Sequence, residues 1–240
     1  MSISAPQQVS AVQGVADELR AAIHRGDLSA ASRLPPEREL ALQLGVSRIT
    51  LREAIRILVE EGYLVARRGS RGGTFVTELE VPYRRWLARM RDDIAEFEDM
   101  LEFRIAVERR AARLAAVRRT DDDLLQLEDA LEQLRRATDR AGYRSADHAF
   151  HRGLARAARS PRLGEAIAVA RGELFLHTDH LIYAELIGDT LTEHRRVLDA
   201  VRDGDAERAA VAMEAHIEGT RQGLRALLLG DPGPDPPTGP

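Results

Sequence analysis

Apolar side chains recur along the chain with two periods, and the change between them divides it. From Val12 to Arg25 they fall at 12, 15, 16, 19 and 23, a helical stripe that stops at Gly26. After Leu34-Pro35-Pro36 the pattern predicts a short helix over 37–44, ended by Gly45, and a third with Ser47 as N-cap and Leu51, Ile55, Leu58 and Val59 on one face. Two short helices joined by Leu44-Gly45-Val46-Ser47 read as a helix-turn-helix. The period then shortens. Tyr63-Leu64-Val65-Ala66 and Thr74-Phe75-Val76 are strand-like runs either side of the glycine-rich Arg67–Gly73 segment, which predicts a basic-tipped hairpin, or wing.

Pro82 marks a connection, and from about residue 83 the pattern is helical. Thr120 with Asp121, Asp122 and Asp123 caps one helix, Ser145 and Ser160-Pro161 open two more, and Gly204-Asp205 separates the last two. The expected architecture is mainly α. Residues 1–78 form a winged helix-turn-helix with a small β-hairpin wing, 79–94 a linker and connecting helix, and 95–229 an all-α bundle, giving six or seven helices after the wing. The Pro/Gly-rich stretch 230–240 is expected to be a disordered tail.

Composition changes this picture in two places. The chain has no cysteine, which excludes disulfides, thiolate zinc sites and cysteine nucleophiles, so any metal site must use His and carboxylate. All 35 basic residues are arginine, and 39 acids leave a net charge of −4, which by itself argues against a nucleic-acid binder. By segment the result differs. Residues 45–76 hold six Arg (48, 52, 56, 67, 68 and 71) against three Glu. No 18-residue apolar run or signal peptide is found, so a soluble cytoplasmic protein without a membrane partner is expected.

In the third helix Ser47, Arg48, Thr50 and Arg52 supply hydroxyl and guanidinium donors in the first turn and a half, the part of a recognition helix that reaches base edges. Arg38 on the preceding helix is placed to touch the DNA backbone, and the wing arginines to enter a minor groove or hold phosphate. A solvated charged face is the alternative for any single arginine. The runs Leu34-Pro35-Pro36-Glu37-Arg38-Glu39-Leu40-Ala41, Leu44–Ile55, Glu61–Leu64 and Gly72–Val76 together resemble the winged helix-turn-helix of GntR-type bacterial transcription regulators. The resemblance implies operator contacts from Arg38, Arg48, Thr50, Arg52 and the wing tip at Arg68 and Gly69. The sequence departs from the family pattern at Ala30-Ala31-Ser32, where Pro-Gly is usual, and at Ile49, where a polar residue is common.

Further on, Asp147 and His151 lie at i and i+4 beside the apolar Phe150 and Leu154, so both point toward the core. His194 lies on a stripe with Leu191, Leu198 and Val201, and His216 beside Met213 and Ile217. One histidine on such a face is usually a satisfied core residue, but three with an aspartate suit a metal site in a bundle. His24, His148, His177 and His180 are weaker candidates. Arg104 passes beside the core, either paired internally with Glu108 at i+4 or free to fork onto a ligand carboxylate.

This segment resembles the FCD ligand-binding domain of the FadR subfamily. That resemblance implies a divalent metal on Asp147, His151, His194 and His216, with Zn²⁺ the first choice and Ni²⁺ or Mn²⁺ compatible, and a small organic-acid effector touched by Arg104. The combined expectation is a homodimeric regulator, a repressor, that binds double-stranded operator DNA and is no enzyme. Two alternatives remain at this stage: a metal-dependent enzyme acting on a small carboxylate, and a regulator whose metal is purely structural.

Overall fold

Ser10 opens the first element, its Oγ accepting a hydrogen bond from Gln13 N–H to cap α1 (Ala11–His24). The computed structural model describes residues 10–69, 72–173 and 183–229. Ser70, Arg71, His177, His180 and the 230–240 tail therefore lie outside the described residues. α1 buries Val15, Ala16, Leu19 and Ile23 against α3 (Arg48–Glu60), which turns in Leu51, Ala54 and Leu58. Between them lies α2 (Glu37–Gln43), and Gly45 at φ +66° makes the left-handed turn that joins α2 to α3. Ser47 Oγ accepts from Thr50 N–H at 3.1 Å and starts α3 where the sequence put its cap.

The wing is β1 (Leu64–Arg67) paired antiparallel with β2 (Gly73–Val76), in the register Leu64↔Val76 and Ala66↔Thr74. The chain after α1 also docks along β2: Ala31 N–H donates to Val76 O at 3.1 Å, Val76 N–H to Ser32 O at 2.9 Å and Leu34 N–H to Thr74 O at 2.9 Å. That segment is too short and too polar to carry a strand pattern, so its docking along β2 is not readable from periodicity. Ala31 sits at φ +60°, in the left-handed region that favours glycine.

Two boundaries differ from expectation. Pro82 lies inside α4 (Glu80–Asp92), in the first turn, where backbone N–H groups have no intrahelical acceptor to lose. The connecting segment is thus almost all helix, and Asp93 caps the next one, α5 (Ile94–Arg118), by accepting from Glu96 N–H at 2.9 Å. Ser145 does not open a helix. α7 (Arg140–Ala157) begins a turn and a half earlier, where Asp139 accepts from Gly142 N–H at 2.7 Å. The remaining helices are α6 (Asp121–Arg136), with the expected Thr120/Asp123 capping box, α8 (Pro161–Glu173), α9 (Tyr183–Asp203) and α10 (Ala206–Leu229).

Two large apolar clusters hold the fold. One runs from α1 and α3 through Tyr83, Trp86 and Met90 of α4 to Phe97 and Leu101 of α5 and Leu224 and Leu228 of α10. The other fills the bundle with Ala112, Leu127, Phe150, Leu198, Met213 and Ile217. Among the described residues no helix is long and apolar enough to cross a membrane.

Candidate functional site

Arg38, Ser47, Arg48 and Arg52 are exposed on α2 and the start of α3, while Thr50 is half-buried with its Oγ1 2.8 Å from Ser47 Oγ. Glu37 restrains two of these cations: its Oε2 accepts from Arg52 Nε at 2.7 Å and lies 3.8 Å from Arg48 Nη2. In the wing, the Arg67 guanidinium lies 4.7 Å from the centre of the Phe75 ring, which leaves Arg68 and Gly69 exposed at the tip. Gly72 has to be glycine here, because a Cβ would meet Arg67 O at 2.5 Å.

In the bundle, α7, α9 and α10 bring Asp147, His151, His194 and His216 together, all buried, each offering one ligand atom within 4.8 Å of the others. Asp147 Oδ1 lies 3.6 Å from His151 Nε2 and 3.5 Å from His194 Nε2, and His194 Nε2 lies 3.3 Å from His216 Nε2. Ligand atoms around tetrahedral zinc stand about 3.3 Å apart, so the spacing suits an ion.

The tautomers suit it too. His151 Nδ1–H donates to Glu108 Oε2, and His216 Nδ1–H donates to Glu193 Oε2 at 2.8 Å, which leaves the Nε2 lone pair of each ring facing the cluster. His151 Nε2 is buried with no hydrogen-bond partner among the described residues. Burial, then the neighbouring His151 and Arg104, pushes the His216 imidazole down to about 3. Burial likewise holds His194 well below the usual histidine range, helped by His216 and His151. Burial alone would raise the Asp147 carboxyl, but Arg171 and the imidazoles outweigh it and keep it ionised. Neutral His194 and His216 beside the Asp147 carboxylate are the kind of donors a borderline divalent ion takes. Phe150 stacks on His194 with ring centres 4.1 Å apart and fixes its plane.

Beside the cluster are two buried arginines. Arg104 is 1% exposed, so it lies inside the core and not at its edge, and its Nε donates to Glu108 Oε1 at 2.6 Å. Arg171 of α8 donates to Asp147 Oδ2 and lies 3.8 Å from Glu108 Oε1. Arg104 Nη1 and Arg171 Nε and Nη1 are buried without hydrogen-bond partners among the described residues, which is costly unless an anion meets them. They face a cavity of about 20 Å³ whose lining also includes Tyr143, Arg144 and Asp147, with His24 at the end of α1 and its C-cap Arg25.

Sequence reasoning met Glu193 only as the neighbour of His194 in the Glu193-His194-Arg195 run and gave it no role, missed Arg171, and saw Glu108 only as a partner for Arg104. The weaker histidines that are described lie elsewhere. His24 Nδ1 and Nε2 lie 2.8 Å from Gly172 O and 2.9 Å from Tyr63 Oη, and His148 Nε2 is 3.3 Å from Asp27 Oδ1. A wider groove of about 610 Å³ near His148 is open to solvent, and its Arg159 is already paired with Asp123 at 2.6 Å.

A winged helix-turn-helix with exposed arginines on α2 and α3, joined to a helical bundle holding a buried His/Asp cluster, is the architecture of a DNA-binding regulator with a ligand-binding domain. The family models match in that order: "Bacterial regulatory proteins, gntR family" over residues 11–76 and "FCD domain" over residues 99–219. The chain belongs to the GntR family of transcription regulators and carries an FCD ligand-binding domain.

Among its relatives, the "Putative L-lactate dehydrogenase operon regulatory protein" of Escherichia coli (strain K12) is 37% identical over 85% of this chain and 82% of its own. The galactonate operon transcriptional repressor of the same strain is 33% identical over 77% of this chain and 85% of its own. The solved structure of E. coli McbR/YncC shares the fold, with a TM-score of 0.59 at 22% identity, covering 92% of this chain and 99% of that one. These families and relatives are transcription regulators, which sets aside the enzyme alternative.

Proposed function

We propose that this protein is a homodimeric repressor of the FadR subfamily whose grip on its operator is released by a small hydroxy acid bound through a divalent metal. Asp147, His151, His194 and His216 hold the metal, Zn²⁺ first and Ni²⁺ or Mn²⁺ as alternatives. Arg104 and Arg171 receive the acid's carboxylate. Arg38, Ser47, Arg48, Thr50 and Arg52, with Arg68 and Gly69 at the wing tip, meet the DNA. Two of the relatives carry L-lactate and galactonate in their names, which supports a hydroxy acid as effector.

The observation that carries this reading is the set of orphaned guanidinium N–H groups next to the His/Asp cluster. Bound metal would supply a Lewis-acid contact for the carboxylate and hydroxyl of the acid. A cavity of about 20 Å³ has room for a water but not for an acid, so its walls must part on binding. One of those walls is α1 of the DNA head, so acid and operator favour different placements of the head.

The test uses full-length protein and a duplex that it selects from a random-sequence pool. L-lactate, galactonate and a panel of other small acids are titrated into zinc-loaded and chelator-stripped protein, with duplex affinity read by fluorescence anisotropy. An acid that binds the loaded protein alone and weakens duplex binding is the expected result. A response that survives stripping would overturn the metal's role. Zinc that raises the melting temperature with no response to any acid would make the metal structural.

A further inference from the structure

Leu42 at 83% and Ile49 at 76% are the most exposed large apolar side chains among the described residues, and both lie in the helix-turn-helix. A single aliphatic on a surface needs no explanation. Ile49 differs by position. It is the second residue of α3, and it shares the exposed face with Arg48, Arg52 and Glu53, opposite the buried Leu51, Ala54 and Leu58. On that face an aliphatic chain neither pairs with phosphate nor hydrogen-bonds a base. Of the groups each base pair presents in the major groove, only the C5 methyl of thymine is apolar. The β-branched side chain is also stiff at χ1, so little rotamer freedom is lost when it is seated against such a group.

We propose that Ile49 reads a thymine methyl group in each operator half-site. This rests on the assignment of α3 as the reading helix. Arg48 and Arg52 anchor α3 on either side of the contact, and Ile49 adds a preference that a guanidinium cannot supply, for thymine over cytosine or uracil at one position.

Full-length protein first selects a duplex from a random-sequence pool. Each thymine is then replaced by uracil, which removes the methyl and leaves every hydrogen-bonding group in place. One position per half-site should bind about fourfold more weakly, the loss expected when one methyl-sized group is no longer buried. The Ile49→Ala protein, which keeps its fold because the side chain is exposed, should bind thymine and uracil duplexes equally.

Sensitivity to uracil at no position, or sensitivity that persists in Ile49→Ala, overturns the proposal. So does an Ile49→Ala protein that changes its association state in solution while keeping the thymine preference, since Leu42 and Ile49 would then form a protein contact. If Arg48→Ala and Arg52→Ala both leave duplex affinity unchanged, the assignment of the reading helix has failed, a separate outcome.

Discussion

Glu108 lies between Arg104, Arg171 and His151, and burial alone would raise its carboxyl; His151 and the two arginines outweigh that and hold it well below the usual carboxylate range. Removing it would leave buried cations unpaired. We expect Glu108→Ala to cost about 3–5 kcal/mol by denaturant unfolding and to weaken zinc binding about 10–100-fold, because His151 also loses the group that orients it. Ala31 offers the opposite change. Its φ of +60° costs an alanine roughly 1 kcal/mol that a glycine does not spend, so Ala31→Gly should raise unfolding stability by up to about that amount. The departure from Pro-Gly was visible in the sequence; the left-handed conformation behind it was not. The ligand set divides in the same way. Asp147 and His151 are legible because one helix turn links them, and His194 and His216 because each lies on an apolar stripe. The roles of Glu193 and Arg171 were not, since their contacts depend on how α9 packs on α10 and α8 on α7, a tertiary matter that spacing along one helix does not encode.

At the scale of elements, α8 joins the two halves of the molecule. Arg171 faces the ligand cluster, while the next residue, Gly172, turns its carbonyl to His24 and lets α1 approach so closely that a Cβ would meet that of Ala21 at 2.8 Å. We expect Gly172→Ala to leave zinc content unchanged while shrinking the acid's effect on duplex affinity toward none. Gly164→Ala on the same helix, where a Cβ meets nothing closer than 4.0 Å, should leave the response intact. The same contact gives a pH dependence. Burial pushes His24 from 6.5 down to about 3, so the fold favours its neutral form. A base whose pKa is depressed on folding contributes stability above its unfolded pKa and loses it as pH falls from 6.5 toward 3. Relative to a His24→Gln variant, the parent should lose about 2 kcal/mol between pH 8 and pH 5 at fixed metal content.

Across the whole molecule, the net charge of −4 averages a basic helix-turn-helix and wing with an acidic bundle, so total charge is a poor guide to DNA binding here. Local arginines should still make duplex affinity fall on the order of a thousandfold between 50 and 200 mM salt if about six phosphates are neutralised, a slope that titration at several salt concentrations would give. The fold class and element order were legible because helical and alternating periods are local. The depth of contact between head and bundle was not, because residues 79–94 read as a linker and connecting helix and the burial of Tyr83, Trp86 and Met90 is a tertiary matter. Its core includes Leu224 and Leu228, so the side chains that complete it are synthesised roughly 150 residues after the wing. At 5–20 residues per second, a nascent head waits on the order of ten seconds for that partner, and a chain that stops short of Leu224 never receives it. Translation therefore completes the helical bundle before the core it shares with the winged domain can close.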